Sequence, residues 1–291
     1  MKRTRILSLT KLTEERKAQI RELEAACRAH DGTEAVAELS GDMNFSRRLK
    51  CFFMYCEDER PVGYMEIFCP DGKNAELTAF VEPSRRQQGI FSAMYEAADT
   101  ELLDRGVRNI LVVAEPASAD AAAAAKKMGA ELRYSELVMR LEEKKATGQE
   151  QVRREDLDLA DGLVCEDVEE SLEASDGDQE LLYKYRRSDT ELGDTGIDDT
   201  KIGNAELGHA GVYVGAHELF IYGVEIDEKS RGKGYGTAFT QALIRELKNR
   251  FPDRQIKLQV RSDNVPAMKL YERCGFTVET QRDYYAIRSY T

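Results

Sequence analysis

A chain of 291 residues, 42% hydrophobic and 33% charged, has an ordinary globular composition and a length of about two domains, each large enough to bury its own core. No apolar run approaches the ~20 residues of a membrane-spanning helix, and a formal charge of −12 repels polyanions and attracts cations, which disfavours nucleic acid as a partner. Six cysteines, Cys27, Cys51, Cys56, Cys69, Cys165 and Cys274, lie without a C-x-x-C pair and read as reduced thiols; with His30, His209 and His217 dispersed as surface or loop residues, no metal site is expected.

The basic start, Met1-Lys2-Arg3-Thr4-Arg5-Ile6-Leu7, carries too short an apolar stretch for a signal peptide, so a cytoplasmic location is expected. The first half reads β-α-β-β-β-α-β-α-β. Residues 4–9 form a short strand, and 13–30 a helix with Ile20, Leu23, Ala26 and Cys27 on one face, closed by Asp31-Gly32. Strands at 51–56 and 61–68 flank the charged turn Glu57-Asp58-Glu59-Arg60, and a further strand covers 76–81. A helix then ends near Gly106, and 108–114 contains Ile110-Leu111-Val112-Val113, a run suited to a strand covered on both faces. An alanine-rich helix at 119–129 and an alternating strand at 132–141 complete the half.

Residues 142–162 are charged and poor in apolar runs, which places a division near residue 147, with domains at 1–147 and 148–291. The second half offers strands at 171–174 and 181–185, an acid- and glycine-rich loop at 188–200, and no opening helices. Strands near 202–207 and 219–226 follow, then a helix at 237–250 with Phe239, Ala242, Leu243 and Leu247 inward, a strand at 256–260, a helix at 266–274 and a strand at 284–287. Alternating helices and strands imply an α/β layered fold with a mixed sheet.

Between strand 219–226 and helix 237–250 stands Arg231-Gly232-Lys233-Gly234-Tyr235-Gly236. Unpaired N–H groups at a helix start, reached through glycines that allow a positive φ, make a phosphate cradle. Arg86-Gln87-Gln88-Gly89-Ile90-Phe91 repeats the layout 145 residues earlier, so the chain holds two copies of one domain. A P-loop would need Gly-Lys-Ser/Thr, and a dinucleotide site Gly-x-Gly-x-x-Gly with an acid after the next strand; neither pattern is met.

Arg231, Gly234 and Gly236, followed by Asn264, Ala267, Tyr271 and Gly275-Phe276, resemble the two signature motifs of the GNAT superfamily of acyl-CoA-dependent N-acetyltransferases. The resemblance covers roughly residues 45–142 and 165–290 and implies two tandem domains, each a mixed, mostly antiparallel sheet flanked by helices. It implies acetyl-CoA as cosubstrate, its pyrophosphate on the N–H groups of Gly232, Lys233, Gly234, Tyr235, Gly236 and Thr237. Arg231 and Lys233 would add charge-assisted bonds or serve as solvated turn charges. The pantetheine arm would lie along the main chain of Val224, Glu225 and Ile226, and Asn264 would touch it.

Tyr271 matches the tyrosine that protonates the departing thiolate, although its place on an Ala267, Leu270, Tyr271, Cys274 face also suits a core residue. An ammonium acceptor must lose a proton, for which Glu225 is the first candidate and Glu218 or Tyr222 the alternatives; the position where such enzymes often carry Glu is Phe220. In the first copy Phe91 stands for Gly236 and Ala125 for Tyr271, so that copy is expected to be structural or to wall the acceptor site. The expectation is a cytoplasmic N-acetyltransferase acting by direct transfer to a primary amine, with no nucleic acid or membrane partner and a homodimer left open. A noncatalytic acyl-CoA sensor is the alternative, and aminoacyl transfer from tRNA is disfavoured by the acidic balance.

Overall fold

A computed structural model of the chain describes residues 3–142, 163–167, 179–186, 206–215 and 217–287. In chain order the first elements are β1 (Thr4–Leu9), α1 (Glu14–Asp31), β2 (Phe52–Glu57), β3 (Arg60–Phe68), β4 (Asn74–Val81), α2 (Ile90–Asp104), β5 (Asn109–Ala114), α3 (Ala119–Lys127) and β6 (Glu131–Leu141). Then come β7 (Leu163–Asp167), β8 (Gln179–Arg186), β9 (Glu206–Val214), β10 (Glu218–Ile226), α4 (Tyr235–Arg250), β11 (Gln255–Arg261), α5 (Val265–Arg273) and β12 (Phe276–Ala286). The boundary expected near residue 147, the strand at 171–174 and the loop at 188–200 lie outside the described residues, and the expected lack of opening helices falls largely on them.

The chain forms two compact units, Met1–Glu136 with Thr280–Thr291, and Leu137–Glu279. In the first, the strands run β1-β2-β3-β4-β5-β12, antiparallel except for the parallel pair β4/β5. In the second they run β6-β11-β10-β9-β8-β7, with β10/β11 the parallel pair. β6 begins in the first unit and ends in the second, whereas β12 begins in the second and ends in the first.

Local chemistry accounts for the elements. Thr13 caps α1 by accepting from the Arg16 N–H, Gly32 closes it at φ 67°, and Ile20, Leu23 and Cys27 bury the expected face. In α4 the buried side chains include Phe239, Ala242, Leu243 and Leu247, again the expected face. β12 begins at Phe276, before the strand expected at 284–287: Phe276-Thr277-Val278-Glu279 alternates over only four residues, and the polar Thr280-Gln281-Arg282-Asp283 that follows carries no apolar periodicity to extend it.

Candidate functional site

In the second unit the ladder between β10 and β11 ends early. β10 and β11 are paired from Glu218 with Gln255 to Ile221 with Leu258, and β10 then continues to Ile226 while β11 continues to Arg261. Beyond Ile221 no residue of β11 pairs with β10, a stretch that includes Val224, Glu225 and Ile226, of which the Ile226 carbonyl is taken by Arg231. On its other edge the register with β9 shifts between Tyr222 and Glu225, where Gly223 adopts φ +59°. This is a β-bulge, which re-aims the residues after it, and a glycine inside an otherwise regular strand was its one sequence signal. The first unit splays likewise after Leu77 with Val112, but its β3/β4 register runs through to Gly63 with Val81 without a shift.

Each splayed strand leads into the same turn. Arg231 has φ −65°, ψ 153° and Arg86 φ −65°, ψ 161°, and the left-handed positions that follow are Gly232 (φ +77°) and Gly234 (φ +86°) in one copy, Gln87 (φ +61°) and Gly89 (φ +80°) in the other. Gly234 caps α4 without a side-chain hydrogen bond, which leaves the N–H groups of Tyr235 and Gly236 at the positive end of the helix dipole, whereas the Thr237 N–H, expected at the phosphates, donates to the Gly234 carbonyl at 3.0 Å. The arginine's Nε pins the turn in both copies: Arg231 donates to the Ile226 carbonyl at 2.8 Å and Arg86 to the Val81 carbonyl at 3.1 Å. Lys233 donates from Nζ to the Lys229 carbonyl at 2.8 Å. Both cations expected at phosphates therefore also brace the loop, a role the sequence pattern did not single out.

On α5, Asn264 accepts from the Ala267 N–H at 3.2 Å and so caps the helix. Tyr271 is buried, edge-on to Phe276 at 6.0 Å between centroids, and burial pushes its phenol up to about 12. The phenol keeps its proton at neutral pH and can donate a hydrogen bond. A Cβ on Gly236 would lie 2.7 Å from Leu270 Cδ1, so the glycine lets α4 and α5 approach closely. In the first unit the volumes are exchanged: Phe91 takes the place of Gly236 while Ala124 and Ala125 take those of Leu270 and Tyr271.

The candidate bases separate by geometry. Glu218 is ion-paired with Lys257 at 3.0 Å, at the start of β10 and away from the turn. The Tyr222 ring covers Gly211, whose added Cβ would sit 2.2 Å from its Cζ. Glu225 is exposed, lies beside the bulge, and faces Arg231 at 3.4 Å and His209 at 4.0 Å. Among the described residues no group of His, Cys, Asp and Glu converges as a metal site would require, and no helix is long and apolar enough to cross a membrane.

The first unit contains a cavity of about 600 Å³ between β4, β5 and the Arg86 turn, bounded by Thr78, Phe80, Phe91, Val113, Ala121 and Ala124. The small side chains of α3 leave part of that space. Arg86, at its edge, is held by both Asp31 oxygens at 2.7 and 2.9 Å and by Asp120 at 3.0 Å.

A model described as the acetyltransferase (GNAT) family matches the chain twice, over residues 17–130 and 164–276. A mycothiol acetyltransferase of Saccharomonospora viridis is 42% identical over 65 residues, 22% of this chain and 21% of that protein. A spermine/spermidine N(1)-acetyltransferase of Bacillus subtilis is 36% identical over 59 residues, 20% of this chain and 39% of that protein. The chain thus matches about a fifth to two fifths of the length of these curated relatives. Among solved structures, a GCN5-related N-acetyltransferase from Sphaerobacter thermophilus aligns with TM-score 0.67 at 14% identity, over 97% of this chain and 95% of that one. A tandem GNAT protein from the clavulanic acid biosynthesis pathway aligns with TM-score 0.62 at 16% identity, over 98% of each. These two likenesses are of fold.

Proposed function

Because the chain belongs to the acetyltransferase (GNAT) family, twice over, we propose that it is an N-acetyltransferase that moves an acetyl group from acetyl-CoA directly to a primary amine, with its active site in the second unit. The observation that carries this reading is the bulge at Gly223 on the strand that splays from β11 and runs into the uncapped start of α4. The first unit repeats the splay and the turn without the bulge and without a tyrosine at position 125.

In this reading the N–H groups of Gly232 to Gly236 hold the pyrophosphate, which the helix dipole and Lys233 favour. The free edge of β10 at Val224 to Ile226 accepts the pantetheine amides as an added strand would. Arg231 keeps the turn in shape and reaches Glu225 with its remaining nitrogens, and Asn264 holds the start of α5 that carries Tyr271. The acceptor's lone pair attacks the thioester carbonyl, the C–S bond breaks, and the Tyr271 hydroxyl donates to the leaving sulfur. A phenol near 12 is a weak acid beside a thiol of ~8.5, so this donation is a hydrogen bond that becomes proton transfer only late. Glu225 is the carboxylate at the acceptor's nitrogen. A cytoplasmic setting belongs to the same proposal.

Tyr271→Phe tests it: turnover with acetyl-CoA should fall at least tenfold with acetyl-CoA affinity within twofold of the parent, and unchanged turnover removes the phenol from the mechanism. The cavity in the first unit, which lacks that phenol, favours a second reading in which the chain is a noncatalytic acyl-CoA sensor. Binding of acetyl-CoA with no turnover over a broad amine panel would select it.

A further inference from the structure

We propose that His209 is the base that takes the proton from the acceptor's ammonium, with Glu225 as its anchor and Glu206 as the group that sets the imidazole's tautomer. The proposal rests on the second unit being the active one. Lys184, His209 and Glu225 are directly opposed across β8, β9 and β10, and the bulge brings Glu225 into this row. The charges that face the imidazole are Glu206 at 3.6 Å from Nδ1 and Glu225 at 4.0 Å from Nε2; Lys184 lies 3.8 Å from Glu206, and Arg231 3.4 Å from the other Glu225 oxygen.

Two consequences follow from those distances. Neither contact is a hydrogen bond, but the carboxylate nearer Nδ1 electrostatically favours the proton there, which leaves the Nε2 lone pair pointing toward Glu225. The 4.0 Å between Nε2 and Glu225 Oε2 is too long for a direct hydrogen bond, yet a nitrogen placed in the gap can lie about 2.9 Å from both. A primary ammonium fills it, donating one N–H to the carboxylate and one to the imidazole. The imidazole takes that second proton and becomes imidazolium between two carboxylates. The freed lone pair forms the C–N bond, the C–S bond breaks, the thiolate sulfur takes the Tyr271 proton, and the amide nitrogen releases its extra proton to water. Glu225 cannot as readily be the base itself, since one of its oxygens already faces the Arg231 guanidinium.

The test uses the full chain, acetyl-CoA and three probe amines: spermidine, free alanine and an alanine-initiated peptide, with thiol release as readout. His209→Gln should lower kcat/KM about 100-fold and abolish the acid limb of the parent's pH profile. Acetyl-CoA affinity should stay within twofold, and added imidazole should restore part of the rate of His209→Ala. A His209→Gln pH profile superimposable on the parent's overturns the proposal. Should the parent turn over none of the three amines, the function proposed above fails for them, and the three histidine resonances decide the site. With acetyl-CoA bound, spermidine should shift the resonance that His209→Gln removes, and an unmoved resonance overturns the assignment.

Discussion

Gly236 and Leu270 meet where α4 crosses α5: a Cβ on the glycine would stand 2.7 Å from Leu270 Cδ1. Gly236→Ala should therefore destabilise the protein by about 1 kcal/mol, the lower end for overpacking because the clashing methyl ends a flexible side chain. Adding Leu270→Ala should cost less in the Gly236→Ala background than in the parent. Strictly additive urea-unfolding energies for the pair would refute the contact. The first unit carries Phe91 and Ala124 at the matching positions and keeps the turn.

The left-handed turn should respond in opposite senses in its two copies. Gly232 has open space where a Cβ would go, so Gly232→Ala carries backbone strain alone and should cost about 1 kcal/mol. Gln87 already bears that strain at φ +61°, and Gln87→Gly should be neutral or stabilising by about 0.5 kcal/mol. Denaturant midpoints moving in the same direction for both variants would contradict this account.

Glu66 is buried, and that burial pushes its carboxyl up to about 8 from an ordinary 4.5. The Tyr64 hydroxyl lies 2.9 Å from the Glu38 carbonyl and 3.0 Å from Glu66. One phenolic proton cannot serve both, so the protonated Glu66 donates to Tyr64 while Tyr64 donates to Glu38. Between pH 4.5 and 8 the folded chain holds a proton that the unfolded chain has released, and stability falls as pH rises through that window. The slope from this group approaches about 1.4 kcal/mol per pH unit. Glu66→Gln should gain on the parent steadily from pH 5 to pH 8 in urea melts; parallel curves would show that the native carboxyl is already ionised.

The strands assigned to each unit predict how the chain can be cut. Asp283 to Ala286 pair with Ala114 to Leu111 in the first unit, where Asp283 also accepts from Ser135 and Thr280 donates to Glu115. A fragment ending at residue 142 should lack cooperative unfolding, and a peptide of residues 276–291 supplied in trans should restore it. A sharp two-state melt of the fragment alone would argue against that dependence.

Much of this was local and therefore legible in the chain. The helix faces led by Ile20 and Phe239, the strands on either side of Asp58-Glu59, and the glycine turn at Arg231 depend on residues within a few positions of one another, and periodicity or φ preference reports them directly. The duplication was equally plain, since one spacing relates both turns. What the sequence left open depends on partners far apart along the chain: the register shift that sets Glu225 opposite His209, the carbonyl that Arg231 pins, and the unit in which the last strand ends. Cross-strand register is fixed by summed contacts between distant segments, and a one-residue shift reverses every face downstream, so only the assembled sheet could decide which charged groups meet beside the bulge.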